Sequence, residues 1–337
     1  MKVLLISNMG PHKRNPSLGR FVINQYEELR KGSYQIEMFL MPKIAYSFKS
    51  SIIRYFSFVL FFLLFLCKNF LKKRFDIIHI HFFYPTVYLA IFYKLFINRR
   101  VKIITTFHGN DVYSYNPNNF LYRKAMSYID HAIYVSERLM LRHDSFNISK
   151  TVLPAGIKND FKVMKNVEKK YDFIFVGNLE LVKGADRLLS IVKNFPEYRF
   201  AIVGSGSFEN ELKAINSDNF DYFPSLKPNA LSLLMNESKC LLNLSRNESF
   251  GLVITEALSC GIFVIATKTD GSLEQLKSIN NGWFLEQEYT FSDVANLYEN
   301  QIANSLIEGG SIVNSHHYRI ESVCEKITEL YYSTLKS

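Results

Sequence analysis

The 337-residue sequence predicts an α/β protein made of two doubly wound parallel-sheet domains in series. Three observations carry this. Twelve short apolar runs alternate with helix-like stretches. The runs are nearly continuous in apolar residues, as strands covered on both faces require, and do not alternate with polar ones. They form two sets of six, split by the polar, charge-rich stretch 158–170. The length suits two domains that each bury a core. An apolar content of 48% excludes a disordered chain.

The first six strands are expected at 3–7, 35–40, 77–81, 102–107, 132–135 and 151–153. The second six are expected at 171–176, 199–203, 221–223, 240–244, 263–266 and 283–285. This gives an N-terminal domain over 1–160 and a C-terminal one over 161–318, with a last helix over 319–337. In parallel sheets of this kind, ligands sit beyond the carboxyl ends of the strands. Chemistry is therefore sought in the loops that follow the apolar runs.

The net charge of +9 is unevenly divided. Residues 1–160 hold 23 Lys and Arg against 9 Asp and Glu, a net of +14; residues 161–337 hold 17 against 22, a net of −5. One half therefore meets an anionic surface or substrate. The segment 55–67 (YFSFVLFFLLFLC) is an apolar run of 13 residues, preceded by Arg54 and followed by Lys68, Lys72, Lys73 and Arg74. It is shorter than the roughly 20 residues of a spanning helix. Two readings stand: a helix buried in the first domain, or a helix at the membrane interface with basic flanks on anionic headgroups. Nucleic acid is not the expected partner, because stacking aromatics interleaved with basic residues are missing from this stretch. The four cysteines are far apart and read as buried free thiols of a reducing compartment. No signal peptide is evident, so a cytoplasmic location is expected.

Three loops carry candidate chemistry. The segment 248–258 (ESFGLVITEAL) follows a strand and opens a helix. Gly251 permits close backbone approach, and the free amides of the residues that follow it, Leu252 and Val253, can hold a phosphate. Glu248 and Glu256 lie eight residues apart, near one helical face, where carboxylates can accept pairs of sugar hydroxyls. In 175–184 (FVGNLELVKG), a strand ends at a turn with Gly177 and Asn178, and Lys183 precedes the next helix, where an ammonium can neutralise a diphosphate. In 107–111 (FHGND), His108 and Asp111 flank a glycine turn where a reacting hydroxyl can be met. Taken alone, each also reads as a solvated glutamate pair, a surface lysine and a histidine bonded to its own loop.

Together, the order and spacing of these segments resemble glycosyltransferase family 4. Glu248 and Glu256 form its E-x7-E element, and the Gly177–Gly184 and His108–Asp111 elements fall in the right places. The resemblance implies two Rossmann-like domains facing across a cleft (GT-B), with the last helix returning to the first domain. It implies retaining transfer from a nucleoside-diphosphate sugar, UDP favoured, with no cofactor. Glu248 matches the family glutamate near the donor sugar, and Glu256 the one that binds ribose. Phe250, Gly251, Leu252 and Val253 match the amides on sugar and diphosphate, and Lys183 the diphosphate lysine. His108 falls near the reacting centre; Gly19, Arg20, His81 and Asp111 fall on the acceptor side. Asn178 stands where the family usually has Arg, so one diphosphate cation is missing unless Arg246 replaces it. The loop 8–20 adds Lys13 and Arg14 to Arg20 as contacts for a phosphate or acidic sugar.

No D-x-D sequence occurs, so a metal-held diphosphate is not expected; His79 and His81 share a strand face, but a third ligand is not evident. A lipid-linked acceptor used in surface polysaccharide assembly, at the inner face of the cytoplasmic membrane, accounts for the basic half and the apolar run together. A nicotinamide dehydrogenase is disfavoured: after Gly204-Ser205-Gly206, Glu209 stands where the third glycine belongs. An epimerase or phosphorylase on the same frame, or a weakly active scaffold homologue, remains as the alternative.

Overall fold

The computed structural model describes residues 1–12, 15, 18–69, 74–114, 119–277, 279–303 and 315–336. Lys13, Arg14, Lys72 and Lys73 lie outside the described residues. The chain divides into two units, Met1–Gly156 with Ile320–Ser337, and Ile157–Arg319. The division comes four residues before the expected bound at 160. Ile157 and Phe161 explain this, because both side chains are buried in the second unit's core. The Ile157 amide also donates to the Tyr318 carbonyl (2.9 Å).

The first unit contains β1 (Lys2–Ser7), α1 (Arg20–Leu29), β2 (Gln35–Leu40), α2 (Ser51–Asn69), β3 (Ile77–His81) and α3 (Phe83–Phe96). It continues with β4 (Lys102–Phe107), α4 (Asn110–Tyr113), α5 (Phe120–Met126), β5 (His131–Tyr134), α6 (Glu137–Leu141) and β6 (Ser149–Val152). The strands are parallel in the order β2-β1-β3-β4-β5-β6. The order reverses direction between β1 and β3. Asn119 and Ser136 cap α5 and α6 by accepting from the third residue on, which stops each loop and starts each helix.

The second unit repeats the plan: β7 (Tyr171–Val176), α7 (Ala185–Asn194), β8 (Phe200–Val203), α8 (Glu209–Lys213), β9 (Phe220–Phe223) and α9 (Pro228–Asn236). Then follow β10 (Ser238–Asn243), α10 (Leu252–Ser259), β11 (Phe263–Thr267), α11 (Asp270–Leu276), β12 (Gly282–Leu285) and α12 (Phe291–Tyr298). The parallel order is β12-β11-β10-β7-β8-β9, reversing between β7 and β10. Phe173, Phe175, Ile202 and Leu242 feed one core, and Ile174, Val203, Leu241 and Val264 the other. Both faces of the sheet are thus covered, which is why its strands read as continuous apolar runs. All twelve strands lie within two residues of their expected bounds.

The last helix, α13 (Ile320–Lys336), packs within the first unit. Val323, Ile327, Leu330 and Tyr331 join Leu29 of α1 and Val3, Ile77, Ile104 and Ile133 of the sheet in one core. Cys240, Cys260 and Cys324 are buried, but Cys67 is exposed, contrary to the expectation for all four.

Helix α2 does not fit the first of its two expected readings, a helix buried in the first domain. At 19 residues it is longer than the apolar run, and length alone would let it cross a bilayer. It is not a core helix. Only a narrow stripe of Ser57, Phe58, Phe62 and Leu66 is buried, and Phe58, Phe62 and the half-buried Phe65 touch Phe39 of β2. That stripe ties the helix to the domain, at about 1.5–3 kcal/mol for each apolar side chain fully buried. The remaining circumference stays open: Ile52, Phe56, Leu60 and Leu64 are exposed, with Ile52 at 80% and Phe56 at 70%. A helix that is apolar all round is ordinarily buried on all sides.

Tyr331 is fully buried beneath the first sheet. Tyr331→Ala should destabilise the first unit by about 3–5 kcal/mol, the usual range for deleting a buried ring. In urea unfolding followed by circular dichroism, the first unit's transition should move to lower denaturant and the second unit's should stay. Movement of both would contradict the assignment of α13 to the first unit.

Candidate active site

The second unit's candidates gather where its strand order reverses. Crossovers leave β7 and β10 in opposite directions, so a crevice opens beyond their carboxyl ends. After β7, the chain turns through Gly177, whose amide donates to the Val203 carbonyl (3.0 Å). Asn178 follows and is exposed. A single turn over Leu181–Lys183 then brings Lys183 to the crevice. Gly184 allows this: its φ is +77°, and a Cβ there would lie 2.2 Å from the Leu244 carbonyl oxygen just beyond β10.

After β10 comes the loop that opens α10. Lys183 Nζ forms an ion pair with the Glu248 carboxylate, joining the two loops across the strand reversal. Gly251, at φ +80°, turns the chain into α10. Phe250 and Gly251 are buried, while Leu252 and Val253 are half-buried. The first amides of α10 have no acceptor within the helix and carry its positive end. Glu256 stands in the second turn of α10, and its side chain is half-buried. Burial pushes its carboxyl up to about 8.

Two residues of this site were not read from the sequence. Gln275 of α11 holds the α10 mouth: its Nε2 donates to the carbonyls of Phe250 and Gly251, and its Oε1 accepts from Thr255 Oγ1 (2.5 Å). No spacing rule marks it, because the contact crosses between helices. Asp186 decides the fate of Arg246. The guanidinium makes two parallel 2.7 Å bonds to Asp186 and a 2.6 Å bond to the Leu181 carbonyl. Arg246 therefore buttresses the Lys183 turn and does not supply a second cation to the crevice.

In the first unit, a row of imidazoles crosses the sheet beneath the HGND turn. His79 and His81 of β3 are fully buried and stacked (centroids 4.6 Å apart). His79 bonds Tyr331 Oη (2.6 Å) and Thr106 Oγ1 (2.7 Å). With the Gln25 amide Nε2 donating to His81 Nε2 (3.4 Å), the His81 proton sits on Nδ1 and donates to His108 Nε2 (3.0 Å). His108 then carries its own proton on Nδ1. Its ring lies among Phe21, Phe82 and His81. His81 is thus a positioning residue behind His108; with no exposed surface it cannot touch an acceptor, which corrects its expected role. Burial pushes His79 and His108 down to about 3 and His81 well below its usual value.

Asp111 also differs from expectation. Its carboxylate accepts from the amides of Phe83 (3.1 Å), His108 (3.1 Å) and Gly109 (2.9 Å). It clamps the β4 turn to the β3 turn, where Phe82 is held at φ +64°. Burial raises Asp111 to about 6 in spite of those three donors. Gly19 is buried against Met9 just before α1, and Arg20 is exposed in the first turn of that helix.

Comparison with known proteins agrees with this arrangement. Residues 156–305 match the family model described as Glycosyl transferases group 1, and residues 23–161 match Glycosyltransferase Family 4. N-acetyl-alpha-D-glucosaminyl L-malate synthase of Bacillus anthracis is 26% identical over 79% of this chain and 76% of its own. Among solved structures, sucrose-phosphate synthase of Thermosynechococcus elongatus superposes with a TM-score of 0.77 at 18% identity, over 99% of this chain and 98% of that one. Anabaena HepE, solved in complex with UDP, gives 0.69 at 16% identity, over 99% and 100%. At those identities, the two structures speak for the fold alone.

The buried histidines make the first unit acid-sensitive. They are neutral in the fold and take up a proton near 6.5 when unfolded. Their contribution is therefore complete above 6.5 and is lost as pH falls, by up to about 1.4 kcal/mol per unit for each. Asp111 opposes this over about 3.8–6 but is a single group. The first unit's melting temperature should fall from pH 7 to pH 5, and His79→Gln should flatten that slope. An unchanged slope would contradict the burial of a neutral His79.

Proposed function

Because the chain belongs to glycosyltransferase family 4, with the GT-B fold, we propose that it moves a sugar, with retention of configuration, from a UDP-sugar to a membrane-anchored glycan. The observation that carries the donor half is the Lys183–Glu248 pair at the mouth of α10. In transfer, the bond from the sugar's anomeric carbon to the β-phosphate oxygen breaks, and its electron pair leaves with the diphosphate. The acceptor oxygen bonds to the same face, and its proton passes to the departing phosphate. The chemistry needs stabilisation of growing negative charge on the diphosphate. The α10 amides and Lys183 supply it.

The ion pair has a second consequence. Lys183 must exchange a carboxylate for a phosphate when donor binds, which releases Glu248 toward the sugar. The pair is partly exposed, at 31% and 14%, so it is weak, within about 1 kcal/mol, and the exchange is easy. Asn178 adds no charge, and Arg246 is held by Asp186, so Lys183 is the donor-side cation of this reading. Glu256, largely protonated at neutral pH while the site is empty, ionises when the ribose hydroxyls donate to it. His108, with its tautomer set through His81, is the first unit's group for the acceptor hydroxyl in this reading. No metal enters this reading.

The acceptor half is supported by the basic first 160 residues and the open apolar surface of α2. Both suit work at the inner face of a cytoplasmic membrane, on lipid-linked intermediates of surface polysaccharide.

A thermal-shift series with UDP-, GDP- and ADP-sugars tests the donor, since a ligand that binds the folded state raises its melting temperature. UDP-sugars should give the largest rise. Lys183→Ala should weaken UDP about 10–100-fold, the loss of a charge-assisted contact of about 1.5–3 kcal/mol. Glu248→Gln should leave UDP binding as tight or up to about fivefold tighter, since it frees the ammonium, while transfer is abolished. UDP-sugar affinity should rise with pH up to about 8, and Glu256→Gln should remove that rise. Equal shifts from all three nucleotides, or weaker UDP binding in Glu248→Gln, would overturn this reading.

A further inference from the structure

The first unit carries a pocket of about 420 Å³, lined in part by Asp111, for which no ligand has been named above. It lies beyond the carboxyl ends of β1 and β3, where that sheet's strand order reverses. A doubly wound sheet opens its crevice there. Tyr55 of α2 and Tyr84 and Tyr88 of α3 form its walls, with Asn8 after β1 and Asn110 and Asn119 around the HGND turn. Among the described residues, no Lys or Arg lines it. Asn8 donates its amide Nδ2 to the Tyr84 carbonyl (3.4 Å), yet its Oδ1 is buried without a partner. A buried amide oxygen with no donor is costly, and turning the Asn8 amide toward a ligand hydroxyl in the pocket removes the cost.

We propose that this pocket holds the neutral sugar headgroup of a glycolipid, taken directly from a bilayer on which α2 and α3 rest. Rings that offer their faces, beside amides that both donate and accept, suit the C–H face and vicinal hydroxyls of a pyranose. The Asp111 carboxylate in the lining, with no Lys or Arg among the described residues there, argues against a phosphate or acidic sugar at this spot. Size agrees, because small-molecule sites run from about 300 to 1,000 Å³.

The walls continue into apolar surface. On α3, Tyr88, Phe92 and Phe96 are exposed at four-residue spacing, one aromatic stripe, and the exposed Tyr84, whose backbone is not helical, sets its ring against Tyr88 (centroids 5.9 Å). On α2, Ile52, Phe56, Leu60 and Leu64 are exposed. Tyr55 and Tyr88 belong to these two helices and also to the pocket, so headgroup site and apolar surface are continuous. Lys49, Arg54, Lys68 and Arg74 bracket α2, the charge complement of an anionic bilayer. An exposed apolar area of this extent marks an interaction surface. Basic flanks choose a membrane over a second copy of this chain, which would bring like charges together.

This rests on the transferase reading but tests apart from it. Vesicles of phosphatidylethanolamine and phosphatidylglycerol, with and without glucosyl- or galactosyl-diacylglycerol, are sedimented with the full chain at low salt. The wild type should pellet with the anionic vesicles, and at least one glycolipid should tighten binding about tenfold. Phe56→Glu with Leu60→Glu and Leu64→Glu should abolish pelleting. Tyr88→Ala and Asn8→Ala should pellet normally but lose the glycolipid increment, while Tyr88→Phe should keep it. All variants should retain the UDP-induced thermal shift. Loss of that shift in the wild type would instead sink the donor reading and leave these results standing. The proposal is overturned if neither glycolipid adds to wild-type binding, or if the triple variant still pellets. It is also overturned if the triple variant only abolishes a dimer seen by ultracentrifugation while vesicles bind nothing.

Discussion

Parallel strands are joined by right-handed crossovers, and in each sheet of this chain the crossovers change direction once. The change falls between β1 and β3 in the first sheet and between β7 and β10 in the second. Everything of chemical interest follows from that constraint. Where two crossovers depart to opposite sides, no helix covers the strand ends, and the loops there are free to carry polar groups. Lys183 and Glu248 come from the loops after β7 and β10. His81 ends β3, and Asn8 directly follows β1.

The two crevices differ in chemistry. The second unit offers a helix mouth, a lysine and carboxylates, a place where a charged group can be exchanged. The first offers neutral imidazoles, amides and phenols. Its carboxylate, Asp111, is occupied by three backbone amides. Burial keeps the three histidines neutral, so His108 is a group of fixed tautomer rather than a cation. On the proposed reading, a donor that carries two phosphates and an acceptor that offers a hydroxyl make different demands, one for each of these sets of side chains.

The strands were legible because a both-sides-covered strand writes itself as an unbroken apolar run. Lys183, Gly251 and Glu248 were legible because they sit at strand ends in fixed order. What was not legible depends on contacts between elements. Asp186 and Gln275 act through partners sixty and about twenty-five residues away. His81 looked like an acceptor contact because sequence gives no depth; the structure buries it behind His108. Helix α2 is the sharpest case. Its composition fits a buried core helix, and only the packing of Phe58, Phe62 and Leu66 on one stripe shows that most of its surface is open.

A crystal structure of the chain with UDP bound is the most direct measurement. The account places the β-phosphate on the amides of Leu252 and Val253, with Lys183 Nζ turned from Glu248 to a phosphate oxygen and the ribose on Glu256. A nucleotide bound elsewhere, or one that leaves the Lys183–Glu248 pair intact and the α10 mouth bare, would contradict it.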